Sequence, residues 1–100
     1  MPKRYQGERT IDGLRVTVNG ELLPDHSEIK EFTAHGFEWS YEGTSPQQLA
    51  LAILADFLDD TNEAIRLSEP FMKTVIANLD NDWTLTGPEV SKAINRINKG

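Results

Sequence analysis

The stretch GFEWSYEGTSPQQLALAILADFLDD, residues 36–60, decides the fold. Residues 37–42 alternate aromatic and polar side chains, which is the pattern of a strand with one buried and one solvated face. Residues 49–58 are apolar on nearly all sides, which indicates a buried helix rather than a surface helix. We therefore predict an aromatic strand, a tight turn and a central helix over residues 46–58, with the rest of the chain covering them.

The turn between these two elements carries the signals of a helix start. Gly43 permits a tight turn, and the Ser45 hydroxyl is a good acceptor for the free N–H groups of a first helical turn. Pro46 suits the first helical position, where a backbone N–H is not needed. We predict Ser45 as the N-cap of the central helix.

Two hairpin signals stand in the N-terminal part of the chain. Asp12-Gly13 and Asn19-Gly20 both tolerate the positive φ that tight β-turns require, and apolar and polar residues alternate between them. This pattern predicts a three-stranded meander with Tyr5 on its buried side. The predicted strands are residues 3–9, 14–18 and 21–23. The next stretch, residues 24–33, is irregular and is compatible with one helical turn or a short edge strand.

Helical patterns follow the central helix. Asp60 and Glu63 have capping-box spacing. Pro70 predicts a break near Ser68 with a new helix starting there, although the sequence alone does not decide between two helices and one kinked helix. Residues 83–85 predict a short strand at the sheet edge, and the segment Thr86-Gly87-Pro88-Glu89 repeats a helix start. We predict an α+β single domain: an antiparallel sheet of about three to four strands with about three helices packed on one face.

Three motifs are spread over most of the chain: Tyr5-x-Gly7, Phe37-x-Trp39-x-Tyr41-x-Gly43-x-x-Pro46-x-Gln48-Leu49-Ala50-Leu51-Ala52-Ile53-Leu54 and Trp83-x-Leu85. Together they resemble the motifs of a small prokaryotic domain of unknown function that occurs in bacteria and in phages or other mobile elements. The resemblance implies a cytoplasmic, single-domain protein of bacterial or phage origin, and it implies no activity.

Charge is distributed unevenly along the 100 residues, whose net charge is −6. Residues 21–82 hold thirteen acidic and three basic side chains, whereas each end of the chain has a small basic excess. An acidic middle repels phosphates, so direct binding of nucleic acid through it is disfavoured. The chain has no cysteine, which excludes disulfides and cysteine chemistry and fits an intracellular protein. No segment is long and apolar enough for us to predict a membrane span.

Three groups of residues are candidates for function. The acids Glu38, Glu42, Asp56, Asp59 and Asp60 form a candidate partner surface. The stripe of Lys92, Arg96 and Lys99, helped by Lys3, Arg4 and Arg9 if the termini converge, is a weaker candidate for facing phosphate. His26 and His35 are candidates for a catalytic or metal role, but their spacing matches no metal-binding pattern.

These candidates support three interpretations, and we predict no cofactor and no metal in any of them. The first is a non-enzymatic module that binds another protein, with a homodimer as one form of it. The second is an acidic inhibitor, carried by a mobile element, that occupies the nucleic-acid site of a host defence or regulatory protein. The third is a small hydrolytic or ligand-binding domain that uses His26 or His35.

Overall fold

The chain folds into an antiparallel sheet and three α-helices, which confirms the predicted α+β class. The computed structural model describes residues 2–99. The strands are β1 (Arg4–Thr10), β2 (Gly13–Val18), β3 (Glu21–Leu22) and β4 (Trp83–Thr86), in the spatial order β3-β2-β1-β4. The helices are α1 (Thr44–Leu58), α2 (Thr61–Thr74) and α3 (Gly87–Lys99), with a 3₁₀ turn at Ile76–Asn78 between α2 and β4.

The predicted meander is confirmed, and so is the late edge strand. Asn19 and Gly20 connect β2 to β3 with φ values of 51° and 88°, as expected of a tight hairpin turn. β4 pairs antiparallel with β1, with Leu85 opposite Tyr5 and Trp83 opposite Gly7. The first strand and the last strand are therefore paired in one sheet, although most of the chain separates them in sequence.

One face of the sheet is buried under the helices. In β1, Tyr5 and Gly7 are buried whereas their neighbours Arg4, Gln6 and Glu8 are exposed. The phenol of Tyr5 reaches α1, where its hydroxyl donates to Asp56 Oδ2 at 2.7 Å. The period-2 alternation of β1 thus separates a core face from an outer, polar face.

α1 is the centre of the core, as predicted. All six residues from Leu49 to Leu54 are fully buried, and α2 packs along this helix. Each large aliphatic side chain among them contributes about 2 kcal/mol by leaving water. A helix buried on so many sides needs neighbours on each of them, and the sheet, α2 and the irregular segment before α1 provide these.

The predicted aromatic strand is wrong, because residues 37–42 form no strand. Trp39 is fully buried, but Tyr41 is 50% exposed, so the rings do not share one face. Ser40 adopts a left-handed conformation with φ 77°, and its N–H donates to Ile76 O. The segment is therefore bonded to the 3₁₀ turn instead of to a neighbouring strand, and the aromatic alternation does not produce a pleat.

The start of α1 also differs from the prediction. The helix begins at Thr44 with Gly43 as its N-cap, and no side chain caps it. The Ser45 hydroxyl donates to Thr33 Oγ1 at 3.0 Å and so ties the helix to the preceding segment. Ser45 lies inside the first turn, where its backbone is already helical, so it cannot serve as the N-cap.

The predicted break near Ser68 is wrong as well, because α2 runs without interruption from Thr61 to Thr74 through Pro70. Proline at this position removes the N–H that would bond to the carbonyl of Arg66. Arg66 is exposed, so solvent can reach that part of the helix. The predicted cap at the start of α2 is confirmed, since Asp60 Oδ1 accepts from the N–H of Glu63 at 3.2 Å.

Residues 24–43 contain no helix and no strand, and a buried glutamine holds part of this segment on α1. Gln48 is 1% exposed, and its Oε1 accepts from the N–H of Phe32 at 2.7 Å. Its Nε2 donates to Asp25 O at 2.8 Å and to Lys30 O at 3.1 Å. One side chain from the central helix thus satisfies three backbone groups of the segment.

Candidate functional site

The five predicted partner-surface acids lie at opposite ends of α1. Glu38 and Glu42 precede its N-terminal residue, whereas Asp56 lies in its last turn and Asp59 and Asp60 follow directly. Fifteen helical residues span about 22 Å. The structure therefore does not bring these acids together into one continuous surface.

Asp56 is engaged inside the molecule. It accepts a hydrogen bond from Tyr5 and lies 3.1 Å from Lys3 Nζ, with 21% of its side chain exposed. Burial, together with the hydrogen bond to Asp56, raises the pKa of the Tyr5 phenol. Asp56 thus links the first strand and the N-terminal segment to the end of α1, which is a structural role.

Glu38 is also neutralised internally. Its Oε1 lies 3.0 Å from Arg9 Nη1 and accepts from the N–H of Trp39 at 3.1 Å. The Arg9 guanidinium stacks 4.8 Å from the centre of the Trp39 ring, and Arg9 Nη2 donates to Trp39 O at 3.2 Å. Arg9 and Glu38 together clamp the segment around Trp39 onto the sheet.

The remaining acids lie at helix ends or in solvent. Asp59 ends α1 in a left-handed conformation, and its N–H donates to Ala55 O. Asp60 is the N-cap of α2, and Glu42 is exposed on the segment before α1. Asp59 and Asp60 therefore belong to the connection between α1 and α2, whereas Glu42 is exposed to solvent.

The two histidines lie on the irregular segment. His26 Nδ1 is 3.1 Å from Glu28 Oε2, and His35 is exposed. Neither histidine lines either of the two concavities described below. Within residues 2–99 no group of three acidic or histidine side chains is arranged to hold a metal ion. The structure gives His26 a carboxylate partner but does not bring the two histidines into a described cleft.

The cationic stripe of Lys92, Arg96 and Lys99 lies on α3. All three side chains are exposed, and in the part of the chain that the structure describes none of them makes an ion pair. Arg96 lines a groove between α2 and α3, which we call the α2–α3 groove. Its volume is about 380 Å³, and its lining residues are Pro70, Thr74, Val75, Ala93, Arg96 and Ile97.

The α2–α3 groove is mainly apolar. Pro70, Val75, Ala93 and Ile97 are each only partly buried, so their side chains remain in contact with solvent. Its volume falls within the range of about 300–1,000 Å³ that is usual for ligand pockets. In the sequence, the apolar stripes of both helices extend beyond the residues that reach the core. The sequence does not show that the two stripes lie side by side, and the groove depends on that.

A second concavity lies on the outer face of the sheet and was not predicted from the sequence. It measures about 370 Å³, and Gln6, Glu8, Arg15, Thr17 and Thr84 contribute to its lining. Glu8 and Arg15 are direct neighbours in the β1–β2 ladder, so opposite charges compensate across it. Asp82 also lines it, so this polar surface carries two acids and one base, which distinguishes it from the mainly apolar α2–α3 groove.

The antiparallel sheet, the three helices and the buried central helix define a small α+β domain. Residues 5–96 match a family of unknown function, DUF6166, and the chain belongs to that family. No curated protein and no solved structure matches the chain. Across residues 2–99, no helix has both the length and the apolar character needed to cross a membrane.

Proposed function

We propose that this chain is a non-enzymatic protein-interaction module and that it docks its partner in the α2–α3 groove. The observation that carries the proposal is the partial exposure of Val75, Ala93 and Ile97, three apolar residues on facing elements. A concave site with a mainly apolar lining is a usual place for a protein to bind another molecule. A groove between two helices is also a recurrent docking place for a segment of another protein.

The proposal includes an origin and a compartment. We propose a bacterial or phage protein that works in the cytoplasm. The support is the resemblance carried by the motif around Trp39 and Gln48, together with the absence of cysteine from the sequence.

The acidic-inhibitor interpretation receives less support from the geometry. Such an inhibitor needs its carboxylates on one face, where they can imitate a run of phosphates. Glu38 and Asp56 are paired with Arg9 and Lys3, and they lie at opposite ends of α1. The hydrolase interpretation rests on His26 and Glu28 alone, without a cleft around them among the described concavities.

Site-specific photo-crosslinking in the native host tests the interaction module. The photoreactive residue replaces Thr74, an exposed residue of the α2–α3 groove, and in a matched variant it replaces Thr84, an exposed residue of the outer sheet face. We expect a protein adduct from position 74 and none from position 84. If the adduct contains a second copy of the chain, the partner is the chain itself and the module forms a homodimer. Equal adducts at both positions, or none at position 74, would contradict the proposal.

A further inference from the structure

We infer that the α2–α3 groove takes an acidic amphipathic helix from its partner, with apolar residues inserted between α2 and α3 and carboxylates beside α3. This inference rests on the proposed function, because it names the chemistry of the partner for the same groove. Two independent features carry it: the spacing of the apolar residues and the charge of the rim.

The apolar residues of the groove are spaced as the anchors of a docked helix would require. Ala93 and Ile97 are four residues apart on α3, so they lie on the same side of the helix, about 6 Å apart along its axis. Pro70 and Thr74 have the same spacing on α2. Two ridges with a one-turn repeat match apolar side chains at i, i+3, i+4 and i+7 of a third helix, which is the helix-in-groove mode of recognition.

The charge of the rim comes from α3. On the α2 side Lys73 lies 3.9 Å from Glu69, so these two charges compensate each other. On α3 the carboxylate of Glu89 accepts from the N–H of Thr86 at the helix start. Arg96 is the charged residue in the lining of the groove, and it makes no ion pair within residues 2–99, which leaves the α3 side of the groove positive.

This charge selects the partner because the rest of the molecule has the opposite sign. The chain carries a net charge of −6, so an acidic partner is repelled by the bulk of the surface and attracted beside Arg96. What separates such a partner from a nucleic acid is the apolar lining, because Ala93 and Ile97 offer nothing to a phosphate. The combination of an apolar floor and a cationic edge favours a helix with carboxylates on one flank.

Selection from a phage-displayed library of helical peptides tests this inference. The library is randomised at the apolar positions of one face and at the flanking positions, and the bait is the full chain. The best binders are then measured by fluorescence anisotropy against Arg96→Glu and against Arg15→Glu, which makes the same charge change on the outer sheet face. A third bait, Ile97→Asp, blocks the floor of the groove, and circular dichroism verifies that it remains folded.

The expected result is enrichment of Asp and Glu on one flank of the selected helices. Arg96→Glu should weaken binding about five- to tenfold at low salt, as loss and reversal of an exposed charge contact implies, and Arg15→Glu less than twofold. High salt should reduce the difference between these two variants because it screens exposed charges.

The other outcomes separate this inference from the proposed function. Helices that depend on Ile97 but show no acidic excess would overturn the inference and leave docking in the groove standing. A library without any binder that depends on Ile97 or Arg96 would overturn both. Labelled single-stranded DNA that binds through Arg96 and displaces the helices would assign the stripe to phosphate and would also overturn the inference.

Discussion

The indole of Trp83 lies directly on the backbone of Gly7, its neighbour across the β1–β4 ladder. A Cβ at position 7 would overlap three ring atoms of Trp83, among them Nε1. The ring also packs edge to face with Trp39, with 5.6 Å between ring centroids and an interplanar angle of 85°. Among residues 2–99, Trp83 Nε1 is a buried donor without a hydrogen-bond partner, so packing rather than hydrogen bonding holds this side chain.

Replacing Gly7 with alanine should therefore destabilise the protein strongly. The new methyl group must displace a large buried ring, and overpacking of this kind costs about 3 kcal/mol. Urea unfolding followed by tryptophan fluorescence measures the loss. Gly87→Ala is the matched control, because a Cβ there meets Phe57 at an ordinary 3.4 Å. That variant should keep or slightly raise the stability, and equal losses in the two variants would show that the Trp83 contact is not the cause.

Gln48 should be necessary for the order of the irregular segment. Gln48→Leu leaves the N–H of Phe32 and the carbonyls of Asp25 and Lys30 without their partner, and we expect a loss of about 3 kcal/mol. Hydrogen exchange at the Phe32 amide should accelerate more than exchange in α1. Gln47→Leu removes one bond to the hydroxyl of Ser68 and should cost less than about 1 kcal/mol. Unchanged protection at Phe32 would be evidence against the anchoring role of Gln48.

Local signals in the sequence predicted most elements of this fold correctly. The turns at Asn19-Gly20 and Asp12-Gly13 and the cap at Asp60 depend on the conformation of a few adjacent residues, so the sequence specifies them directly. The buried character of α1 follows from its composition in the same way. These features need no knowledge of which segments lie close together in space.

The errors arose where distant contacts decide the structure. Trp39 is held by Arg9, thirty residues away, and its Nε1 donates to Asn81 O, forty-two residues away. These contacts fix the ring without any need for a strand, so alternation of aromatic residues was an unreliable signal. Pro70 would end an isolated helix, but α2 continues because its buried residues pack along α1 on the other side of the helix.

The candidate site was predictable only in part for the same reason. Counting charges located an acidic middle segment, but it did not show that Glu38 and Asp56 are neutralised by Arg9 and Lys3. The stripe around Arg96 was visible in the sequence, whereas the apolar groove beside it exists only because α2 and α3 are adjacent. The sequence shows the apolar stripe of a single helix, but a groove forms only when two helices pack against each other.

The cost of Pro70 inside α2 can be measured by replacing it with alanine. Alanine restores the missing N–H and avoids the steric conflict with the preceding turn. Some packing in the groove is lost, so we expect the free energy of thermal unfolding to rise by roughly 1–2 kcal/mol. Pro88 lies in the first turn of α3, where proline is well tolerated, so Pro88→Ala should change stability by no more than about 0.5 kcal/mol. A loss of stability in Pro70→Ala would mean that the ring contributes more by packing than it costs in the helix.

The buried phenol of Tyr5 should make the protein sensitive to alkaline pH. Its pKa in the folded protein is raised above the ordinary value of 10.0, because burial and the neighbouring Asp56 both oppose a phenolate. Below pH 10 both states keep the proton, and the contribution of the group to stability is complete. Above pH 10 the unfolded chain loses the proton while the folded chain retains it, so the free energy of unfolding falls as the pH rises.

Comparison of Tyr5→Phe with the unmodified chain isolates this effect from other groups that titrate in the same range. At neutral pH we expect Tyr5→Phe to cost about 2 kcal/mol, because the hydrogen bond to the Asp56 carboxylate is lost. Between pH 10 and 11 its stability should fall by about 1 kcal/mol less than that of the unmodified chain. Tyr41→Phe, which removes the hydroxyl of a half-exposed tyrosine, is the matched control. Parallel profiles for Tyr5→Phe and the unmodified chain would show that the folded protein tolerates the phenolate of Tyr5.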